Sequence, residues 1–158
     1  MLLVIIQDSC TKFGVRAIWK PEEVINDFQT EMRNPDAAGF LAICDNMVVG
    51  FTHGYSVDSQ ELRSIVGNDL LDRVFESEDR VFYIDELGVA AAYRGKHTSL
   101  TLSKALIDVA YSSGAKTIVL RTDTKADAAR HVYTRLGFVE FDIHDAAYPN
   151  RTYWVLRK

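Results

Sequence analysis

Residues 83–102 read YIDELGVAAAYRGKHTSLTL, and their order decides the architecture. Residues 80–90 form a β-rich run, Arg94-Gly95-Lys96 follows as a turn, and residues 98–113 repeat apolar positions at helical spacing up to Gly114. A strand that passes at once into a helix leaves the first-turn N–H groups of that helix without intrahelical partners. Here those amides fall at Lys96 to Ser99. The helix dipole and the side chains of Arg94 and Lys96 add positive potential, so the junction reads as a phosphate or pyrophosphate site. It is not a GxxxxGK[ST] loop, because Ala90 and His97 stand where that motif needs Gly and Ser or Thr.

Downstream, residues 116–122 read as a buried strand and 125–136 as a helix closed by Gly137 at the left-handed cap position, which makes residues 80–138 a βαβα unit. Strands at 138–143 and 152–157 close the chain. Upstream, residues 2–7 read as a first strand and 13–19 as either a strand or an irregular loop. Pro21 opens a helix that carries Val24, Ile25, Phe28 and Met32 on one face and ends at Asn34-Pro35. Strands at 40–44 and 47–55 form a hairpin about Asp45-Asn46, with Gly50 and Gly54 marking a bulge or a close approach. Residues 58–77 read as an amphipathic helical insert.

With 158 residues, 47% of them hydrophobic and 25% charged, the chain is expected to be one α/β (α+β) domain over residues 1–158. Lys and Arg total 18 against 22 Asp and Glu, a balance that argues against a nucleic-acid partner. The apolar run at 1–6 is too short for a signal peptide or a membrane span, and Cys10 and Cys44 belong to no cluster. The expectation is therefore a cytoplasmic protein without a membrane partner. A homodimer is left open. His53, His131 and His144 show no ligand spacing, so no metal is expected. Residues 76–86 hold five acids, Glu76, Glu78, Asp79, Asp85 and Glu86, against Arg80, which favours a cationic partner.

Two blocks carry a family resemblance. Arg94 to Ser99 is similar to the pyrophosphate loop of the GNAT superfamily of acetyl-CoA-dependent N-acetyltransferases, whose pattern is Arg or Gln, two variable residues, Gly, one variable residue, then Gly or Ala. The match holds at Arg94 and departs at His97 and Ser99. Residues 128–138, AARHVYTRLGF, resemble that family's AA-x-x-x-Y-x-x-LGF signature, although Ala126 stands where the family usually has Asn. The resemblance implies a mixed, mostly antiparallel sheet of six to seven strands flanked by helices. It implies acetyl-CoA as cosubstrate, with Leu87, Gly88 and Val89 pairing with its pantetheine arm. Arg94, Gly95, Lys96, His97, Thr98 and Ser99 would hold its pyrophosphate. Val89 N–H would be the oxyanion donor, and Tyr133 would protonate the departing thiolate.

Transfer to an amine also needs a group that removes the ammonium proton. Asp85 and Glu86 just precede the pantetheine strand, and either could serve. Strict alternation places Asp85 with Tyr83, Leu87 and Val89 and puts Glu86 on the other face, unless a bulge intervenes. The family often carries its acid at the place of Asp85, so the resemblance favours Asp85 over Glu86 as the base. His97 would either crowd the phosphates or contact one. The resulting expectation is an N-acetyltransferase acting by direct attack in a ternary complex on a small-molecule or protein amine. The departures at His97, Ser99 and Ala126 keep a second reading, a GNAT-fold module that binds coenzyme A without catalysis.

Overall fold

The computed structural model describes residues 2–7, 26, 28–58, 62–64, 80–145 and 147–158. The expectations for 13–19, for the start of the helix at Pro21, and for the insert apart from 62–64 lie outside these residues. So do Glu76, Glu78 and Asp79.

Among the described residues, seven strands form one sheet: β1 (Leu2–Gln7), β2 (Ala38–Cys44), β3 (Met47–Val57), β4 (Val81–Val89), β5 (Thr117–Asp123), β6 (Val139–His144) and β7 (Arg151–Arg157). Their order across the sheet is β1-β2-β3-β4-β5-β7-β6. The pairs β1/β2 and β4/β5 are parallel and the other four antiparallel, as expected for a mixed, mostly antiparallel sheet. Asp45 and Asn46 both have positive φ, 47° and 61°, which is the turn whose twist suits a two-residue hairpin between β2 and β3.

Helices α1 (Thr98–Ser112) and α2 (Asp127–Arg135) cover one face. Leu102, Leu106, Ile107 and Ala110 of α1 meet Phe82, Ile84, Ile118 and Leu120 of the sheet. Each large side chain buried there contributes about 1.5–3 kcal/mol. On the other face, Tyr55, Tyr83, Val119, Tyr153 and Val155 form a second core with Leu62 and the flank of Met32, which follows a helical stretch at 28–31. Both helices end in the same way. At α1, Gly114 (φ 94°) lets Ala115 N–H reach Ala110 C=O (3.1 Å); at α2, Gly137 (φ 89°) lets Phe138 N–H reach Tyr133 C=O (3.0 Å). Among the described residues no helix is long and apolar enough to cross a membrane.

Candidate active site

The sheet opens at its centre. β4 pairs with β3 along its whole length, but with β5 only at Val81, Phe82 and Tyr83, opposite Thr117, Ile118 and Val119. From Ile84 to Val89 the side of β4 that would face β5 carries no strand among the described residues. The phase of the antiparallel hydrogen bonds decides which amides look into the gap. Ala90 N–H donates to Val49 C=O (2.9 Å), so the neighbouring pair Val89/Gly50 and the pair Leu87/Thr52 turn their amides away from β3. The N–H groups of Leu87 and Val89 therefore line the open edge.

β4 ends in a 3-10 turn, Ala91–Tyr93, anchored by the buried Tyr93 ring, and α1 starts five residues later. Arg94 Nε donates to Val89 C=O (3.1 Å), which holds the guanidinium at the end of β4, and Lys96 Nζ lies 5.5 Å from the centre of the Tyr93 ring. Gly95 has φ 76° and His97 φ 62°. His97 thus occupies a left-handed position that favours Gly, at the N-cap of α1, with no capping hydrogen bond from its side chain. The first intrahelical bond of α1 runs from Thr101 N–H to His97 C=O (3.0 Å). The orphan amides are thus those of Thr98, Ser99 and Leu100, slightly further along than the sequence placed them. No acid stands in that first turn.

Tyr133 owes its position to the end of α2. The Gly137 cap brings Phe138 back onto Tyr133, ring centres 5.8 Å apart, and Trp154 of β7 packs on it at 6.0 Å. The spacing of Tyr133, Gly137 and Phe138 in the sequence is the spacing of this cap. Burial, and then the charge of Glu86, push the Tyr133 hydroxyl up to about 12.

The two acids lie differently from strict alternation. Gly54 pairs with Ile84 and His53 with Glu86, so Asp85 is an extra residue on β4. A Cβ on Gly54 would stand 2.5 Å from the Tyr83 carbonyl and 2.6 Å from the Phe82 ring, a closeness that only Gly permits. The bulge moves Leu87 and Val89 to the α1 face with Phe82 and Ile84, whereas Asp85 stays with Tyr83. Glu86, opposite His53, joins Asp85 on that face. The expected separation of Asp85 from Glu86, and the grouping of Asp85 with Leu87 and Val89, are both corrected by this one residue.

Asp85 accepts a hydrogen bond from Tyr55 Oη (3.2 Å). His53 Nε2 donates to Glu31 (2.7 Å), and one donor atom from each of Glu31, His53 and Asp85 falls within 4.8 Å of the others. Spacing along the chain had not joined these three, which come from three different elements. Burial holds His53 below the usual histidine range despite the opposing pull of Asp85, so its ring is neutral at pH 7. Glu86 keeps contact with water, yet the walls of the gap thin its hydration and raise its carboxyl above the usual range. Asp85 raises it further, while Arg151 and Arg121 pull the other way.

Across the gap, Arg121 of β5 pairs with Asp145 (2.7 Å), which also accepts from the Tyr153 hydroxyl and from the amides of Ala147 and Tyr148. This wall was not legible in the sequence, since its members are spread over residues 121–153.

The acetyltransferase (GNAT) family model matches residues 4–138. Among solved structures, the chain is similar to Arabidopsis thaliana NAA60 in complex with acetyl-CoA, at 18% identity over 92% of this chain and 86% of that one, TM-score 0.66. It is similar to an N-acetyltransferase from Staphylococcus aureus Mu50, at 19% over 88% and 78%, TM-score 0.62. A third likeness is to the NatC complex bound to Gag peptide and CoA, at 18% over 72% and 63%, TM-score 0.56, where this chain spans less than two thirds of the other. At these identities the likeness is one of fold. No curated protein matches the chain.

Proposed function

Because the chain belongs to the acetyltransferase (GNAT) family, we propose that it transfers an acetyl group from acetyl-CoA to a primary amine by direct attack in a ternary complex. The observation that carries this reading is the open edge of β4, which leads through the turn at Ala91–Tyr93 and the loop at 94–97 to the orphan amides of α1. An unpaired strand edge can take an extended amide-bearing arm as if it were another strand. Pantetheine is such an arm. The amides of Thr98, Ser99 and Leu100, with Arg94 and Lys96, would hold the pyrophosphate through hydrogen bonds and positive potential.

In this scheme an ammonium enters on the face of Asp85 and Glu86. Glu86, whose raised pKa brings it nearer to neutrality, takes the proton directly or through a water, and Asp85 keeps it basic. The amine nitrogen bonds to the acetyl carbon while Val89 N–H donates to the carbonyl oxygen. As the carbon–sulfur bond breaks, the Tyr133 hydroxyl gives its proton to sulfur, and the second proton, shed by the nitrogen as the amide forms, passes through solvent to restore Tyr133. Calorimetry with acetyl-CoA, followed by a thiol-release assay with amines, tests the reading. Micromolar binding and amine-dependent thiol release are expected. Absence of binding would overturn it, and binding without turnover across amines would mark a non-catalytic coenzyme A module.

A further inference from the structure

The wall facing Glu86 holds a cation that the transfer chemistry does not use. Continuous β5/β7 register places Arg151 opposite Asp123 and Tyr153 opposite Arg121, so Arg151 and Arg121 both lie on the face of Tyr153, Tyr83 and Asp85. Arg121 is already neutralised by Asp145. Arg151 has no ion pair or side-chain hydrogen bond among the described residues, and its neighbour Asp123 is occupied by Lys125 N–H (2.7 Å) and the Asn150 amide. What holds Arg151 is a ring: its Cζ lies 4.6 Å from the centre of Tyr148, whose other approach is Arg121 at 5.5 Å. Asp145 fixes Tyr148 in turn through its backbone amide (2.8 Å). A guanidinium resting on an aromatic ring keeps its edge N–H fork for a carboxylate.

A second observation lies beside it, between Asp85 and Arg121. Tyr83 is almost fully buried, and its hydroxyl has no hydrogen-bond partner among the described residues, although it lies within electrostatic reach of both Asp85 and Arg121. The floor between the acidic and the basic wall therefore has an unmet polar atom, which a ligand oxygen or a bridging water would satisfy.

We infer that the acceptor is a zwitterion of the α-amino acid class, its ammonium held at Glu86 and Asp85 on β4 and its carboxylate by Arg151 on β7. The inference rests on the acetyl-transfer reading and narrows its substrate. It separates this site from one built for peptide N-termini, which have no carboxylate next to the amine, and from one for polyamines, which would meet a repelling charge at Arg151.

The test compares L-amino acids with their decarboxylated and amidated partners, such as L-leucine with 3-methylbutylamine and L-leucinamide, and L-lysine with cadaverine. At least one amino acid should be acetylated with a kcat/KM about 10- to 100-fold above both partners, the factor expected of one charge-assisted contact. Arg151→Gln should erase that ratio by raising KM for the amino acid, with KM for acetyl-CoA and turnover of the amines unchanged; Arg151→Lys should restore part of it. Equal or better use of amines or leucinamide would overturn the inference, as would an Arg151→Gln variant that slows all acceptors alike. The second readout needs no turnover: the preferred amino acid should raise the melting temperature of the wild-type protein and not of Arg151→Gln. If acetyl-CoA does not bind, the transfer reading fails, and this shift decides the zwitterion site by itself. No shift with any amino acid would then overturn the site as well.

Discussion

A tyrosine whose hydroxyl is pushed up to about 12 keeps its proton at neutral pH and can give it to a leaving thiolate. Tyr133→Phe keeps the ring against Phe138 and Trp154 and removes only the proton, so turnover should fall about 100-fold or more, with acetyl-CoA affinity within twofold in calorimetry. Unchanged turnover at saturating substrate would remove Tyr133 from the acid role. For Glu86 the sign follows from the raised carboxyl pKa: the folded state binds its proton more tightly than the unfolded chain, so stability falls as pH rises from the usual carboxylate value through the folded one. Glu86→Gln should therefore melt higher than the wild type above that window and equally below it, and should lose the ascending limb of the kcat/KM profile. A pH-independent difference in melting would contradict this. His97 is strained by its φ of 62°, at a cost of about 1 kcal/mol for a non-Gly residue. His97→Gly should raise the melting temperature by about 3 °C, and should keep or tighten acetyl-CoA binding if the ring only crowds the phosphates. A marked loss of binding would make the ring itself a contact.

At the scale of elements, local chemistry was readable and long-range register was not. The hairpin at Asp45-Asn46, the caps at Gly114 and Gly137, and the strand-to-helix passage after β4 are each specified by a few neighbouring residues, and all three are present. The bulge at Asp85 is caused from 31 residues away, by Gly54 on another strand. The sequence held its signal, a glycine inside a strand, but not which residue of which partner would be displaced. For the same reason the insertion of β7 between β5 and β6, and the walls built by Glu31 with His53 and by Arg121 with Asp145, were out of reach of spacing arguments. Gly54→Ala tests the cause directly. The added methyl meets the Tyr83 carbonyl and the Phe82 ring, so the variant should lose about 1–3 kcal/mol in urea unfolding. Its activity should fall further than its folded fraction explains, because Asp85, Glu86 and the amides of Leu87 and Val89 all take their positions from that register. A stable variant with normal turnover would show that the bulge does not set the site.

At the scale of the molecule, the described residues form a sheet of two blocks, β1 to β4 and then β5, β7 and β6, joined edge to edge at three residue pairs, by a bond from Lys116 N–H to Arg80 C=O (3.4 Å) at the same end, and by side-chain packing on both faces. A ligand that fills the gap would add backbone hydrogen bonds between the blocks where the protein makes none. Acetyl-CoA should thus stabilise the whole fold and not only the loop at 94–99. At a free concentration 100 times its dissociation constant, linkage gives about 2.7 kcal/mol, which for a chain of this length is about 5–10 °C in melting temperature. The same binding should slow hydrogen exchange at Leu87 and Val89, whose amides face the open edge, and leave Gly88, bonded towards β3, comparatively unchanged. Protection confined to Thr98, Ser99 and Leu100, with no change at Leu87 or Val89, would mean that the pyrophosphate is held at α1 while the arm of the coenzyme does not enter the sheet.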